Sequence, residues 1–241
     1  MTRALAFALV LGCGTTPTPV ETRAPEPLPA AAAVEETPQP VAVRINREYE
    51  GRTAKSWERS FEREGREAHD RRADIVALME LKPGMAVADV GAGTGMFTVE
   101  LARAVLPGGI AYAVDPQSYF LEHVAARARD AKLDNVRTIH ADQRGSGLAK
   151  GSIDVAFMCD VYHHLELPKT YLADLHAALR DGGKLVIVDY DRTRKSTRAW
   201  MRDHIRADPA EFRAEIESAG FTLLAEPKLL EENFVMIFAR G

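Results

Sequence analysis

The chain has 241 residues, of which 46% are hydrophobic and 27% charged, and its 31 basic and 35 acidic side chains give a formal charge of −4. That balance excludes a wholly disordered chain, a collagen-like fibre and a polytopic membrane protein, and offers no basic excess for nucleic acid. Two cysteines, Cys13 and Cys159, with no C-x-x-C pair, exclude a disulfide framework and a zinc ribbon, and no metal site is expected from the spacing.

The first element is an unbroken apolar run, Ala4 to Leu11, behind a single basic residue, Arg3. As a helix it spans only ~12 Å against a hydrocarbon core of ~30 Å, so it does not cross a membrane. Its length and flank fit the core of a secretory signal. The sequence Val10-Leu11-Gly12-Cys13 resembles a bacterial lipoprotein signal. That resemblance implies cleavage before Cys13, a lipid on Cys13, and placement in the cell envelope. The alternative is a cytoplasmic protein in which Cys13 is incidental. Seven of the 13 prolines lie between Pro17 and Pro40, and no aromatic residue falls between Phe7 and Tyr49. Such a stretch buries too little apolar surface to offset its ordering entropy. The expected division is therefore 1–13 signal, 14–46 disordered Pro/Ala-rich linker and 47–241 folded domain.

Within the domain, Trp57 and Phe61 are four apart in a charged segment and share one helical face. Ile75, Leu78 and Met79 place a second helix over 70–81, stopped by Pro83-Gly84. The period then changes. Short apolar runs predict strands over 86–90, 110–114, 136–140, 153–158 and 184–188, with helices over 95–105, 119–131 and 171–179 between them. Asp181-Gly182-Gly183 predicts a turn before the fifth strand. A helix over 209–219 and strands over 221–224 and 234–238 complete the chain. Alternating strands and helices give an α/β fold with a mostly parallel sheet covered on both faces. The last two strands have no helix between them, so they are expected as an antiparallel edge hairpin.

The informative loop is Asp89-Val90-Gly91-Ala92-Gly93-Thr94-Gly95, which follows the first strand and opens a helix. Glycines admit close approach and positive φ, and amides at the helix start favour an anionic group. The spacing is G-x-G-x-G, and Met96 stands where a dinucleotide fingerprint, G-x-G-x-x-G, would have its third glycine. Asp89-x-Gly-x-Gly-x-Gly resembles the first motif of class I S-adenosylmethionine-dependent methyltransferases. The resemblance implies a Rossmann-like seven-stranded sheet of order 3-2-1-4-5-7-6 with a reversed last strand. It implies S-adenosylmethionine as cofactor, held by Asp89, Gly91, Ala92, Gly93 and Gly95. Asp115, with Pro116 behind it, would meet a ribose diol; Asp142 and Gln143 the adenine; and Asp160 the methionine end. Each acid also has a plain reading as a turn or strand-end residue.

His163 and His164, beyond the fourth strand, are the candidates for a general base, and each equally reads as a packed or backbone-bonded residue. Cys159 reads as a buried strand-end residue. Trp57 and Phe61 read either as a lid or as a seat for the first helix, and Tyr190-Asp191-Arg192 with the basic segment 192–206 either as facing the substrate or as a solvated face. The small size leans towards a small-molecule acceptor. The alternatives are a membrane-tethered binding module without catalysis and a dinucleotide-dependent oxidoreductase. The two resemblances conflict, because an exported domain leaves the compartment where this cofactor is made.

Overall fold

The computed structural model describes residues 36–241. The signal and the lipid-bearing Cys13 expected for 1–13, and most of the expected linker, lie outside the described residues. The end of that linker does not. Residues Pro40–Asn46 form a helix, α1, with Pro40 in its first turn and Ala42 and Ile45 buried three residues apart. Helical spacing of two apolar residues was enough to seat a segment whose composition reads as linker.

A 3-10 turn, Arg47–Tyr49, leads to α2 (Ala54–Phe61), α3 (Glu67–Asp70) and α4 (Arg72–Ala77). The alternation follows: β1 (Ala86–Val90), α5 (Met96–Ala104), β2 (Ile110–Asp115), α6 (Ser118–Asp130), β3 (Val136–His140) and β4 (Ile153–Cys159). A 3-10 turn at Tyr162–His164 precedes α7 (Pro168–Ala178) and β5 (Leu179–Tyr190). Last come α8 (Ala199–His204), α9 (Pro209–Ser218), β6 (Phe221–Ala225) and β7 (Asn233–Arg240). Helix α8 lies inside the segment read as a solvated face. Met201 and the following Ile205 are buried, so that segment is half core.

One seven-stranded sheet has the order β3-β2-β1-β4-β5-β7-β6, as expected. Strand β7 runs antiparallel to both β5 and β6, and β6 is the edge. The turn at Asp181-Gly182-Gly183 appears as a bulge inside β5: Leu179 pairs with Ile153, and pairing resumes only at Lys184 with Val155. Along the central strands, side chains alternate between two cores. Val87, Val155, Phe157, Val186 and Val188 face Ile75, Phe97 and Leu101 on one side. Ala88, Ala156, Met158, Leu185 and Ile187 face Leu172, Leu175, Phe212 and Ile216 on the other. Burial on both faces explains why these strands read as continuous apolar runs. It also fixes the strand ends, and with them the crevice above the sheet. No helix among the described residues is long and apolar enough to cross a membrane.

Candidate functional site

A cavity of about 790 Å³ opens at the carboxyl ends of β1, β2 and β4. It collects Asp89, Gly91, Ala92, Gly93, Asp115, Pro116, Asp142, Gln143, Asp160, His163 and His164, which are distant in sequence. Gly95 is the exception among the expected residues. It caps α5 at φ +78°, and a Cβ there would lie 2.8 Å from Val124 Cγ2. Its glycine serves the packing of the loop against α6 rather than the cavity wall.

The loop is held by its own surroundings. Gly91 and Ala92 donate their N–H groups to the Val114 carbonyl at 2.7 and 3.1 Å, and Gly95 donates to Ala92 at 2.9 Å. Gly93 donates to Asp115 Oδ2 at 2.9 Å. These four donors of the loop are therefore satisfied within the protein. A Cβ on Gly91 would sit 2.4 Å from Val161 Cγ2, so the loop lies directly against the segment after β4.

Asp115 accepts a second backbone bond, from Gln117 to Oδ1 at 2.8 Å. Burial pushes its carboxyl up to about 6 despite those two donors. Asp89 beneath it accepts the Thr98 hydroxyl at 2.6 Å and is pushed up to about 7, first by burial and also by Asp115. Asp89 thus locks the first turn of α5 to β1, a holding task beneath the cavity surface.

The remaining acids differ in character. Exposed Asp142 closes a turn by accepting Arg144 and Gly145 at Oδ1, at 2.6 and 3.1 Å, and no bond occupies its Oδ2. Gln143 spends its side-chain oxygen on the Glu166 N–H at 3.0 Å. Asp160, at φ +54°, is bonded on both oxygens, to Arg66 and to Asn233, each at 2.5 Å. Burial raises its carboxyl, and the Arg66 guanidinium opposes that rise. Cys159 is partly exposed at the cavity wall, and burial pushes its thiol well up, so it is a poor thiolate.

His163 is buried, with Nδ1 2.7 Å from Asp189 Oδ1. Burial raises the Asp189 carboxyl. Yet its two oxygens also take the N–H groups of His163 and Tyr190, so Asp189 is the acceptor and Nδ1 the donor. His164 Nδ1 lies 2.8 Å from Asn46 Oδ1. The Asn46 amide nitrogen donates to the His164 carbonyl and to Glu166, which fixes the amide's orientation and makes His164 Nδ1 the donor. Burial drives His163 down to about 3 and His164 well below its ordinary value, so both imidazoles are neutral and weak proton acceptors.

Several lining residues carried no signal in the sequence. Tyr49 stacks on Trp57 with centroids 4.6 Å apart, Trp57 on Phe61 at 5.1 Å, and Phe120 meets both Tyr49 and Phe61. Trp57 and Phe61 seat α2 against α6, the second of the two expected readings, and they also line the cavity. Helix α2 is fastened from the other side by Glu62, which accepts from Thr94 at 2.7 Å and forks with Arg127. Arg66, His204 and Asn46 reach the cavity from segments whose spacing marks none of them.

Residues 88–185 match the family described as Methyltransferase domain. The matched stretch runs from β1 into β5 and holds the glycine loop, Asp115, Asp142, Asp160 and both histidines. The protein-L-isoaspartate O-methyltransferase of Methanothermobacter thermautotrophicus is 33% identical over 116 residues, 48% of this chain and 50% of its own length. The demethylmenaquinone methyltransferase of a Geobacillus species is 25% identical over 118 residues, 49% of this chain and 50% of its own. This chain thus spans about half the length of these curated relatives. A crystal structure of a S-adenosylmethionine-dependent methyltransferase from Aquifex aeolicus superposes with a TM-score of 0.65 at 22% identity, covering 70% of this chain and 89% of that one. The fold is that of the S-adenosylmethionine-dependent methyltransferases.

Proposed function

We propose that this chain is a S-adenosylmethionine-dependent methyltransferase acting on a small-molecule acceptor. The observation that carries the reading is the buried Asp115 carboxylate, set at the end of β2 and tied to Gly93, on a cavity shared with Asp142 and Asp160. A nucleoside fits this surface. In this reading Asp115 would accept from a ribose diol with the lone pairs left by its two backbone donors, and Asp142, with one oxygen outside its turn, from an adenine amino group. Pairing of the loop amides supports a sulfonium nucleoside over a dinucleotide, whose pyrophosphate calls for open donors.

The bound cofactor would supply an electrophilic methyl on a positively charged sulfur. The protein's share is positioning: transfer proceeds in line, charge disperses, and no oxyanion hole is called for. The Tyr49, Trp57 and Phe61 wall would exclude water and flank the acceptor side. His163 and His164 line the same end, and their depressed basicity suits orientation better than proton uptake.

Calorimetry with S-adenosylhomocysteine and with NAD tests the cofactor. Binding of the first alone is expected, and binding of NAD alone would overturn the reading. Release of S-adenosylhomocysteine on incubation with small phenols, amines and quinols tests turnover. Lipidation of Cys13 and placement in the cell envelope belong to the same proposal. The support is the run from Ala4 to Cys13. Mass spectrometry of the mature N-terminus is the check, and an intact Met1 would refute it.

A further inference from the structure

Three histidines converge on the wall of the cavity. His163 and His164 come from the 3-10 turn after β4, and His204 from the end of α8. One ring nitrogen from each lies within 4.8 Å of the others. The ring centroids of His204 stand 5.3 Å from His163 and 5.5 Å from His164, and those of His163 and His164 are 4.2 Å apart. All three side chains line the cavity.

The surroundings have the form that a metal site needs. The Nδ1–H of His163 is held by a buried carboxylate, Asp189, and that of His164 by the oriented Asn46 amide. In each ring the proton is fixed on Nδ1, which leaves the Nε2 lone pair unprotonated. A carboxylate or amide gripping the far nitrogen of a ligating imidazole is the usual device for setting tautomer and ring plane.

We propose that His163, His164 and His204 form a three-histidine site for a divalent first-row transition ion of the zinc type. Metal–nitrogen bonds of about 2.0–2.1 Å require nitrogens roughly 3.4 Å apart, closer than the 4.8 Å span of the cluster, so the rings draw together when the ion binds. His204 stands on a six-residue helix, the element best able to give that movement. Asp160 is not a fourth ligand, since Arg66 and Asn233 hold both its oxygens. The fourth position therefore faces the cavity, as in zinc sites that act on substrates rather than brace a fold. Three neutral ligands leave the ion its full charge, which selects an acceptor whose attacking oxygen, nitrogen or sulfur can bind as an anion. That last assignment rests on the methyltransferase reading; the metal site itself does not.

The test uses the full chain, purified without a histidine tag and stripped with EDTA. Zinc titration by calorimetry and cobalt titration by visible absorption are expected to give one equivalent bound, with the intense bands of a tetrahedral ion. His204→Ala and the near-isosteric His204→Gln are expected to weaken zinc binding at least 100-fold, and Asn46→Ala 10–100-fold through the imidazole it anchors. His140→Ala, at an exposed histidine outside the cluster, is expected to leave zinc affinity unchanged. Melting curves of each variant identify any that fail to fold, and the two His204 replacements guard against relying on one. Absence of stoichiometric uptake, or uptake indifferent to both His204 variants, overturns the site. Zinc uptake without S-adenosylhomocysteine binding leaves the site standing and overturns the methyltransferase reading; the reverse result does the opposite.

Discussion

The Asp115 carboxylate accepts the Gly93 N–H at 2.9 Å, so the end of β2 and the loop after β1 are one mechanical unit. A ligand that bonds to Asp115 meets a group already oriented by two backbone donors, from Gly93 and Gln117.

Asp115→Ala should therefore do two things. It removes a charged partner for the ligand and leaves the Gly93 and Gln117 donors unpaired. Affinity for S-adenosylhomocysteine is expected to fall by ~1–3 kcal/mol in calorimetry. Unchanged affinity would take Asp115 out of the site.

Asp89 gives a pH signature. Its folded-state value is raised from the ordinary 3.8 to about 7 by burial. The folded chain thus holds a proton that the unfolded chain releases, and this contribution is full below pH 4 and lost as pH rises towards 7. Asp89→Asn keeps an oxygen for the Thr98 hydroxyl and removes the charge. The variant should gain on the parent as pH goes from 5 to 8, by about 2–4 °C in Tm per kcal/mol relieved. A constant difference across that range would mean that Asp89 ionises freely.

Gly95→Ala combines a left-handed φ with a Cβ 2.8 Å from Val124 Cγ2. A loss of ~1–3 kcal/mol in urea unfolding is expected. Val124→Ala in the same chain should recover the steric part and leave the backbone part. Full additivity of the two substitutions would contradict the contact.

Arg66→Ala strands Asp160. The two side chains are 13% and 9% exposed, so the remaining carboxylate is a buried charge that keeps only Asn233. A loss of ~3–5 kcal/mol is expected, and Asp160→Asn added to Arg66→Ala should restore much of it. A double variant no better than the single one would locate the damage elsewhere.

The sheet was legible because each central strand is buried on both faces, and the reversed pair because no helix separates β6 from β7. The glycine loop was legible as a motif but not as chemistry. Its spacing says that the backbone comes close to something, and the structure identifies that something as Val114, Asp115, Val161 and Val124. The distant partners were illegible. Arg66 reaches Asp160 across 94 positions and Asn46 reaches His164 across 118, and nothing local marks either residue. Helix α8 was hidden because its one buried residue, Met201, and the Ile205 that follows the helix stand among Arg198, Arg202 and Arg206. The segment 40–46 was hidden because it opens on Pro40 directly after the proline- and alanine-rich stretch and carries only two buried residues, Ala42 and Ile45.

The N-terminal arm has a mechanical consequence. Glu36 accepts the N–H groups of Lys169 and Thr170 at the start of α7, Gln39 donates to the Glu166 carbonyl, and Asn46 holds His164. The arm thus joins the start of α7, the turn at His164 and, through Arg44 to the Asp203 carbonyl, helix α8. A displacement of Glu36 or Asn46 would therefore bear on the first turn of α7 and on the ring of His164, which lines the pocket, and only through them on the sheet.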